Sequence, residues 1–172
     1  MILGHLGFSY LLAQLAGWWG VELSAREVIL VVITGSIVDI DLFVTFFVKK
    51  GVSHHNFVTH TPLGAFLIWL ALIVGCGSYF SLLVSILLLA ALLGHLALDD
   101  LCYWLSHLGF QNVPEYPRTN WLYPFRKYNN IGILKRLSDI RTFKDKYLKA
   151  ARASNICEIA LVLGALIVGV FG

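Results

Sequence analysis

The chain has 172 residues, 58% of them hydrophobic and 13% charged, with a mean hydropathy of +0.77. That lies outside the range of soluble domains and places the chain among membrane proteins. Its formal net charge of +3 does not suggest direct nucleic-acid binding, and three scattered cysteines without a Cys-x-x-Cys pair argue against a disulfide framework.

Apolar stretches run at about 2–19, 27–48, 60–75, 79–105 and 155–171. The second and fourth are long enough to cross a bilayer, and the others approach that length. The expected fold is all-α, a polytopic membrane bundle of four to five transmembrane helices forming one domain over 1–172. The first stretch has no basic flank before it and no clear small-residue cleavage site after it, so it is expected to stay in the mature protein. His5 stands near its start.

The second helix carries Gly35-Ser36-Ile37-Val38-Asp39-Ile40-Asp41. Residues two apart on an intact helix point about 200° from each other, so Asp39 and Asp41 cannot serve one ion there. Either the helix unwinds after Gly35 or one aspartate faces elsewhere. Next comes Ser53-His54-His55-Asn56-Phe57-Val58-Thr59-His60-Thr61-Pro62. Thr61 as N-cap with Pro62 in the first turn predicts a helix start, leaving His60 just ahead of a helix N-terminus that favours anions. His54 and His55 belong to the loop before it.

In the fourth helix His95 and Asp99 are four residues apart and share a face, while Asp100 is turned about 100° away. The segment 106–154 is the one substantial extramembrane part. Its first half is aromatic and basic, broken by prolines. Its second half sets Ile133, Leu134, Leu137, Ile140, Tyr147, Leu148 and Ala151 at helical spacing among basic residues, the pattern of a cytoplasmic amphipathic helix at the membrane interface. Two readings fit this segment: plain anchoring in lipid headgroups, or a lid whose Arg118 or Arg126 holds an anionic substrate.

Depth ties these residues together. With Gly77 as one hairpin tip, His60 lies seventeen residues before it and His95 eighteen after. With Glu22 as another tip, His5 lies seventeen before, and Asp39 and Asp41 seventeen and nineteen after. At about 1.5 Å per residue, each side chain sits roughly 25–29 Å from the far tips, near the opposite face of a hydrocarbon layer about 30 Å thick. Asp39, Asp41, Asp99 and Asp100 occupy predicted spans that hold no Lys or Arg. Buried carboxylates cost several kcal/mol unless compensated, and the partners on offer are histidines, which suits divalent metal better than salt bridges.

Orientation follows from the basic residues. Lys49 and Lys50 follow the second helix, ten more lie between Arg118 and Arg152, and Arg26 alone falls on the other side. This predicts a cytoplasmic N-terminus, an external C-terminus after five helices, and a ligand layer at the cytoplasmic face of the cell membrane.

The residues resemble the YdjM-like family of LexA-binding, inner-membrane-associated hydrolases, also described as membrane-bound metal-dependent hydrolases. That family shows an early His, a Pro-Asp-x-Asp, a His-Arg-x-x-Thr-His-Ser, a His-x-x-x-Asp and a later Pro-Phe. Here His5, then Val38-Asp39-Ile40-Asp41, then His55 through Thr61, then His95 through Asp99, then Tyr123-Pro124-Phe125 follow in that order. Val38 replaces the Pro, Asn56 the Arg and Thr61 the Ser. The resemblance favours His55 over His54 as a ligand and implies a hydrolase.

The expected centre therefore draws on His5, Asp39, Asp41, His55, His60, His95 and Asp99. Seven donors suit two divalent ions, although one remains open; zinc leads, with manganese or iron also compatible. The expected function is membrane-embedded hydrolysis, a metal-activated water attacking an ester or phosphoester that is lipid-linked or phosphorylated. Asp100 or one of Asp39 and Asp41 would act as general base, and Arg118 and Arg126 would bind substrate. Membrane lipids are the expected partners. The alternatives are a metal-binding regulatory or scaffold protein, or a metal or proton transporter, which the largely apolar outer halves of the spans disfavour.

The distribution of Lys and Arg makes a direct prediction. Cysteine-accessibility labelling should find positions in 106–154 on the cytoplasmic side and Gly172 outside. Labelling of both from the same side would break the five-helix topology.

Overall fold

The computed structural model describes residues 2–41, 54–76, 79–108, 118–125 and 152–171. Among these the regular structure is entirely helical: α1 (Ile2–Trp18), α2 (Ala25–Ile37), α3 (Pro62–Cys76), α4 (Leu82–His107) and α5 (Arg152–Phe171), with short 3-10 turns at His54–Asn56 and Val58–His60. The predicted interfacial helix at 133–152 lies outside the described residues apart from Arg152, and so do Arg126 and the hairpin tip Gly77.

Local signals set the helix ends. Ser24 starts α2 with a capping box: its hydroxyl accepts from Glu27 N, and the Glu27 carboxylate accepts from Ser24 N at 2.8 Å. Thr61 starts α3 as expected, its hydroxyl accepting from Gly64 N at 3.0 Å and its carbonyl from Ala65 N at 2.8 Å. The second apolar stretch does break. α2 stops at Ile37, Val38 and Asp39 form a turn, and helical backbone resumes at Ile40. Asp39 N reaches back three residues to Ser36 O at 3.1 Å.

α4 is the axis of the bundle and packs against α1, α2, α3 and α5. Val84, Leu88, Leu92 and Leu96, each four residues on from the last, are fully buried along it. This is the buried stripe of a central helix. Two close approaches lock α1 beside the site. A Cβ on Gly35 of α2 would stand 1.9 Å from Ser9 Oγ of α1, and one on Gly94 of α4 would stand 2.1 Å from the Phe8 ring. α1 also lies tight on α5, where a Cβ on Gly7 would meet the backbone of Leu161 at 3.1 Å. Small residues let helix backbones approach in this way.

The outer surface is strongly apolar. Ile29 and Ile33 on α2, Leu67 and Val74 on α3, Leu82 and Ile86 on α4, and Ile159, Leu163 and Ile167 on α5 are all exposed. An apolar surface of this extent needs lipid or a partner to cover it. By length and apolarity, one described helix suffices to cross a membrane, Leu82–Leu105; Pro62–Cys76 and Ile156–Val170 are apolar but shorter. The expectation of four to five spans thus reduces to one clear span within an all-helical bundle. The reason is physical: α1 has 17 residues, and the turn at Val38 cuts α2 to 13.

The contact between Gly35 and Ser9 generates a stability test. Gly35→Ala should destabilise the bundle by about 1–3 kcal/mol through overpacking, and adding Ser9→Gly should recover part of that loss. Thermal unfolding in detergent reads both. An unchanged midpoint for Gly35→Ala would refute the close approach.

Candidate metal centre

Most of these side chains are delivered near the end of an element. His5 comes from the first turn of α1, Asp39 from the turn after α2, His60 from the 3-10 turn before α3, and His95 and Asp99 from the second half of α4. Alternating helix directions bring all five to one end of the bundle. His5, His60 and His95 are buried to 2% exposure or less.

The hydrogen bonds fix which ring nitrogens face inward. His95 Nδ1 lies 2.7 Å from the carbonyl oxygen of Gly35. A carbonyl only accepts, so Nδ1 carries the proton, and the lone pair of the neutral ring is on Nε2. That Nε2 faces Asp99 Oδ2 at 3.2 Å and Asp39 Oδ1 at 3.6 Å. His60 repeats the arrangement. Its Nδ1 donates to Asp41 Oδ2 at 2.6 Å, and its Nε2 faces Asp99 Oδ2 at 3.4 Å and Asp39 Oδ1 at 3.8 Å.

Two imidazole lone pairs pointed at two carboxylates repel one another. Only a cation between them makes the arrangement favourable. The spacings suit a metal ion. Charge-assisted N–H···O bonds run about 2.7–2.9 Å, shorter than any of these four contacts. Ligands bound about 2.0–2.1 Å from a tetrahedral ion stand about 3.3–3.4 Å from one another, in the lower half of the observed range. Moreover His95 Nε2, Asp99 Oδ2 and Asp39 Oδ2 are buried and make no hydrogen bond among the described residues. The donor set fits a divalent ion held through His Nε2 atoms whose Nδ1–H groups are pinned from behind, the usual arrangement of metal-binding histidines.

Two overlapping groups of three could hold an ion: His60, His95 and Asp99, and His5, Asp39 and His95, with ligand atoms in each within 4.8 Å of one another. Both need His95 Nε2, because Gly35 occupies Nδ1, so the groups are alternatives. His5 also stacks on His95, ring centroids 3.9 Å apart, and its Nε2 lies 3.1 Å from Asp99 Oδ1. Asp99 thus turns one oxygen to His5 and the other to His60 and His95.

The remaining expected residues fall around this cluster. Asp41 sits on the Nδ1 side of His60, away from the inward-facing nitrogen, and one of its oxygens also accepts from the Thr59 hydroxyl. Its Oδ2 is thus engaged behind His60, while its Oδ1 makes no hydrogen bond among the described residues. The ring of His55 is buried 5.1 Å from that of His60, outside both groups of three. Asp100 faces away: Oδ1 accepts from Thr119 N at 2.7 Å and Oδ2 from the Trp121 indole. Both oxygens hold the 119–121 loop, which leaves Asp100 poorly placed as the expected general base. Arg118 is half-buried over the ring of Tyr103, its guanidinium carbon 4.8 Å from the centroid.

Several structural partners had no clear sequence signal. Thr119 and Asn120 are buried, and Asn120 Nδ2 donates to His55 O at 3.0 Å, tying the loop to the histidine turn. Glu158 of α5 accepts from Gly4 N at 3.1 Å, beside His5 at the free N-terminal end of α1. A lone carboxylate in an apolar helix was the available hint. The Gly35 carbonyl, as a backbone group, left no trace in residue type.

With this geometry in place, comparison with known proteins is informative. The family model described as YdjM inner membrane protein matches residues 1–172, the whole chain. No curated protein and no solved structure matches.

The neighbouring aspartates Asp99 and Asp100 separate metal binding from loop tethering. Asp99→Asn should sharply reduce zinc content measured by elemental analysis after purification in zinc. Asp100→Asn should keep the metal and cost about 1–3 kcal/mol of stability through its two weakened bonds. Full metal occupancy in Asp99→Asn would remove it from the centre.

Proposed function

The chain belongs to the YdjM inner membrane protein family, and from that premise we propose that it is a metal-dependent hydrolase working within the membrane. The observation that carries the proposal is the confrontation of His60 and His95 Nε2 with Asp39 and Asp99 at 3.2–3.8 Å. His60, His95 and Asp99 are the proposed ligands, a two-histidine, one-carboxylate set of the type found in zinc hydrolases. Zinc is the first choice, with manganese and iron compatible with the same donors. One ion is proposed here instead of two, because the single free nitrogen of His95 is shared by both candidate groups.

When bound, such an ion supplies Lewis acidity that polarises the scissile ester or phosphoester and makes a bound water easier to deprotonate. The chain's own residues do the rest. Gly35 O and Asp41 hold the two rings so that both Nε2 atoms converge. Asp39 is the proposed general base: its side chain is 13% exposed against 0–7% for His60, His95 and Asp99, which puts it nearest the opening. Its Oδ2, which makes no hydrogen bond among the described residues, is the acceptor for the water's proton. His5 holds Asp99 from its other oxygen.

The topology belongs to the proposal as well. All five helices embed in the inner membrane, with the centre towards the cytoplasm. The apolar exposed surface and the shared end of the bundle support this arrangement, and a lipid-linked ester or phosphoester suits a site at that level.

One observation favours a second reading. Asp39 Oδ1 is close enough to both histidines to be a fourth ligand, and a closed shell of four marks a structural site. The protein would then be a metal-stabilised regulatory or scaffold protein.

Asp39→Asn decides between the readings. Under the hydrolase proposal it keeps zinc and loses about 10²–10⁴-fold in turnover. The assay is release of headgroup from lipid esters and phosphoesters by the zinc-loaded full chain. Loss of zinc in Asp39→Asn, with no turnover by the wild type on either ester class, would overturn the hydrolase proposal in favour of the closed structural site.

A further inference from the structure

α1 and α5 run parallel with their faces in step. Gly4 meets Glu158, Gly7 meets Leu161, and Leu11 meets Gly164. At the first of these steps a Cβ on Gly4 would stand 2.8 Å from Glu158 Cγ and 3.6 Å from its Cα, so the two backbones are close there. The contact is polar as well as close: the Glu158 carboxylate accepts from Gly4 N at 3.1 Å. Gly4 belongs to the first turn of α1, whose N–H groups have no carbonyl within the helix to bond.

Two features set this contact apart from ordinary helix packing. α1 has no acidic residue in its own first turn, so Glu158 brings the negative charge that the positive end of the helix dipole favours. Glu158 is also the one charged residue in 153–172. A carboxylate in an apolar helix is costly unless compensated, and the N-terminal turn of α1 supplies part of that compensation.

The residue after Gly4 is His5. Its ring stacks on His95 with centroids 3.9 Å apart, and its Nε2 lies 3.1 Å from Asp99 Oδ1. His5 thus touches two of the proposed ligands, and its placement follows that of the first turn of α1. Phe8 and Ser9, which meet Gly94 and Gly35, hold the second turn. Glu158 holds the first.

We infer that Glu158 is a positioning residue for the metal centre: by holding the first turn of α1 it sets His5 against His95 and Asp99, and through them the affinity for zinc. The inference rests on the metal site proposed above and extends it to α5, which supplies none of the proposed ligands.

The test combines zinc affinity, by competition with a chromophoric chelator, with histidine ring shifts of the metal-free full chain in detergent. Outer partners of metal ligands contribute about ten- to hundredfold in affinity, so His5→Ala should lose that much and Glu158→Ala about tenfold. Glu158→Gln keeps an acceptor oxygen and should lose about half as much on a logarithmic scale, since a charge-assisted bond is about twice as strong as a neutral one. In a His5→Ala background Glu158→Ala should cost nothing further, because it acts through that ring. Glu158→Ala should also remove the ring-current shift that the stack imposes on His5 and His95.

Gly169→Leu is the control for helix pairing alone. A Cβ there would already meet the Tyr10 hydroxyl at 2.7 Å, at the far end of the same interface. It should lower thermal stability and leave zinc affinity and the stack unchanged. Wild-type zinc affinity in Glu158→Ala, an undiminished loss in the His5→Ala background, or an equal loss in Gly169→Leu would overturn the inference. If Glu158→Ala does not fold, Glu158→Gln carries the test, and wild-type affinity with a wild-type stack overturns it. The ring shifts keep the two proposals apart. In a chain that binds no zinc, a stack that depends on Glu158 leaves the positioning of His5 and removes the metal centre, while a stack independent of Glu158 removes both. Tight zinc binding that ignores Glu158 leaves the metal centre and removes the positioning role.

Discussion

Two histidine nitrogens and two carboxylates face one another in the interior of an apolar bundle, and the rest of the structure serves that confrontation. Left uncompensated, it would be among the costliest arrangements a buried site can hold, because charge and lone pairs meet where little water screens them. The surrounding contacts make it worse for an empty site and better for a filled one. Gly35 O and Asp41 fix protons on the outward nitrogens of His95 and His60, so the inward nitrogens cannot bond the carboxylates as neutral donors. These groups could hold a cation between them.

The same demand explains features of the fold that are unfavourable alone. A helix broken at Val38 and Asp39 gives up regular hydrogen bonds, yet the break turns Asp39 inward and leaves Asp41 behind His60. Non-helical backbone in an apolar interior is tolerated where it lines a protein site. Gly35 and Gly94 are poor helix formers, but each admits an α1 side chain that any Cβ would block. Those approaches seat α1 against α2 and α4 and so place His5. Glu158 works from the other side, accepting a hydrogen bond from the first turn of α1.

The two adjacent aspartates of α4 illustrate how one helix divides its labour. Asp99 points into the cluster, while Asp100, one residue on, anchors the loop that carries Arg118. The metal centre and the aromatic, basic rim are thus built from consecutive residues of one rigid element. Their separation is set by helical rise and does not depend on loop conformation.

Sequence alone determined the helical class, the family and the membership of the cluster, because each leaves a mark in residue type or spacing. Apolar stretches report helices, Thr61-Pro62 reports a helix start, and ionisable residues in apolar helices are too costly to be incidental. Equal distances from the hairpin tips were enough to expect His5, Asp39, Asp41, His60 and His95 at one level. Tertiary structure alone decided their orientations and partners. Whether Asp41 ligates or orients depends on which nitrogen of His60 it meets, and whether Asp100 is a base depends on the loop across from it. The break at Val38 also left α2 at 13 residues, too short for a clear span, since apolar composition does not show where backbone bonds lapse. Role follows from direction and partner, and direction is fixed only when helices distant in sequence close around a common point.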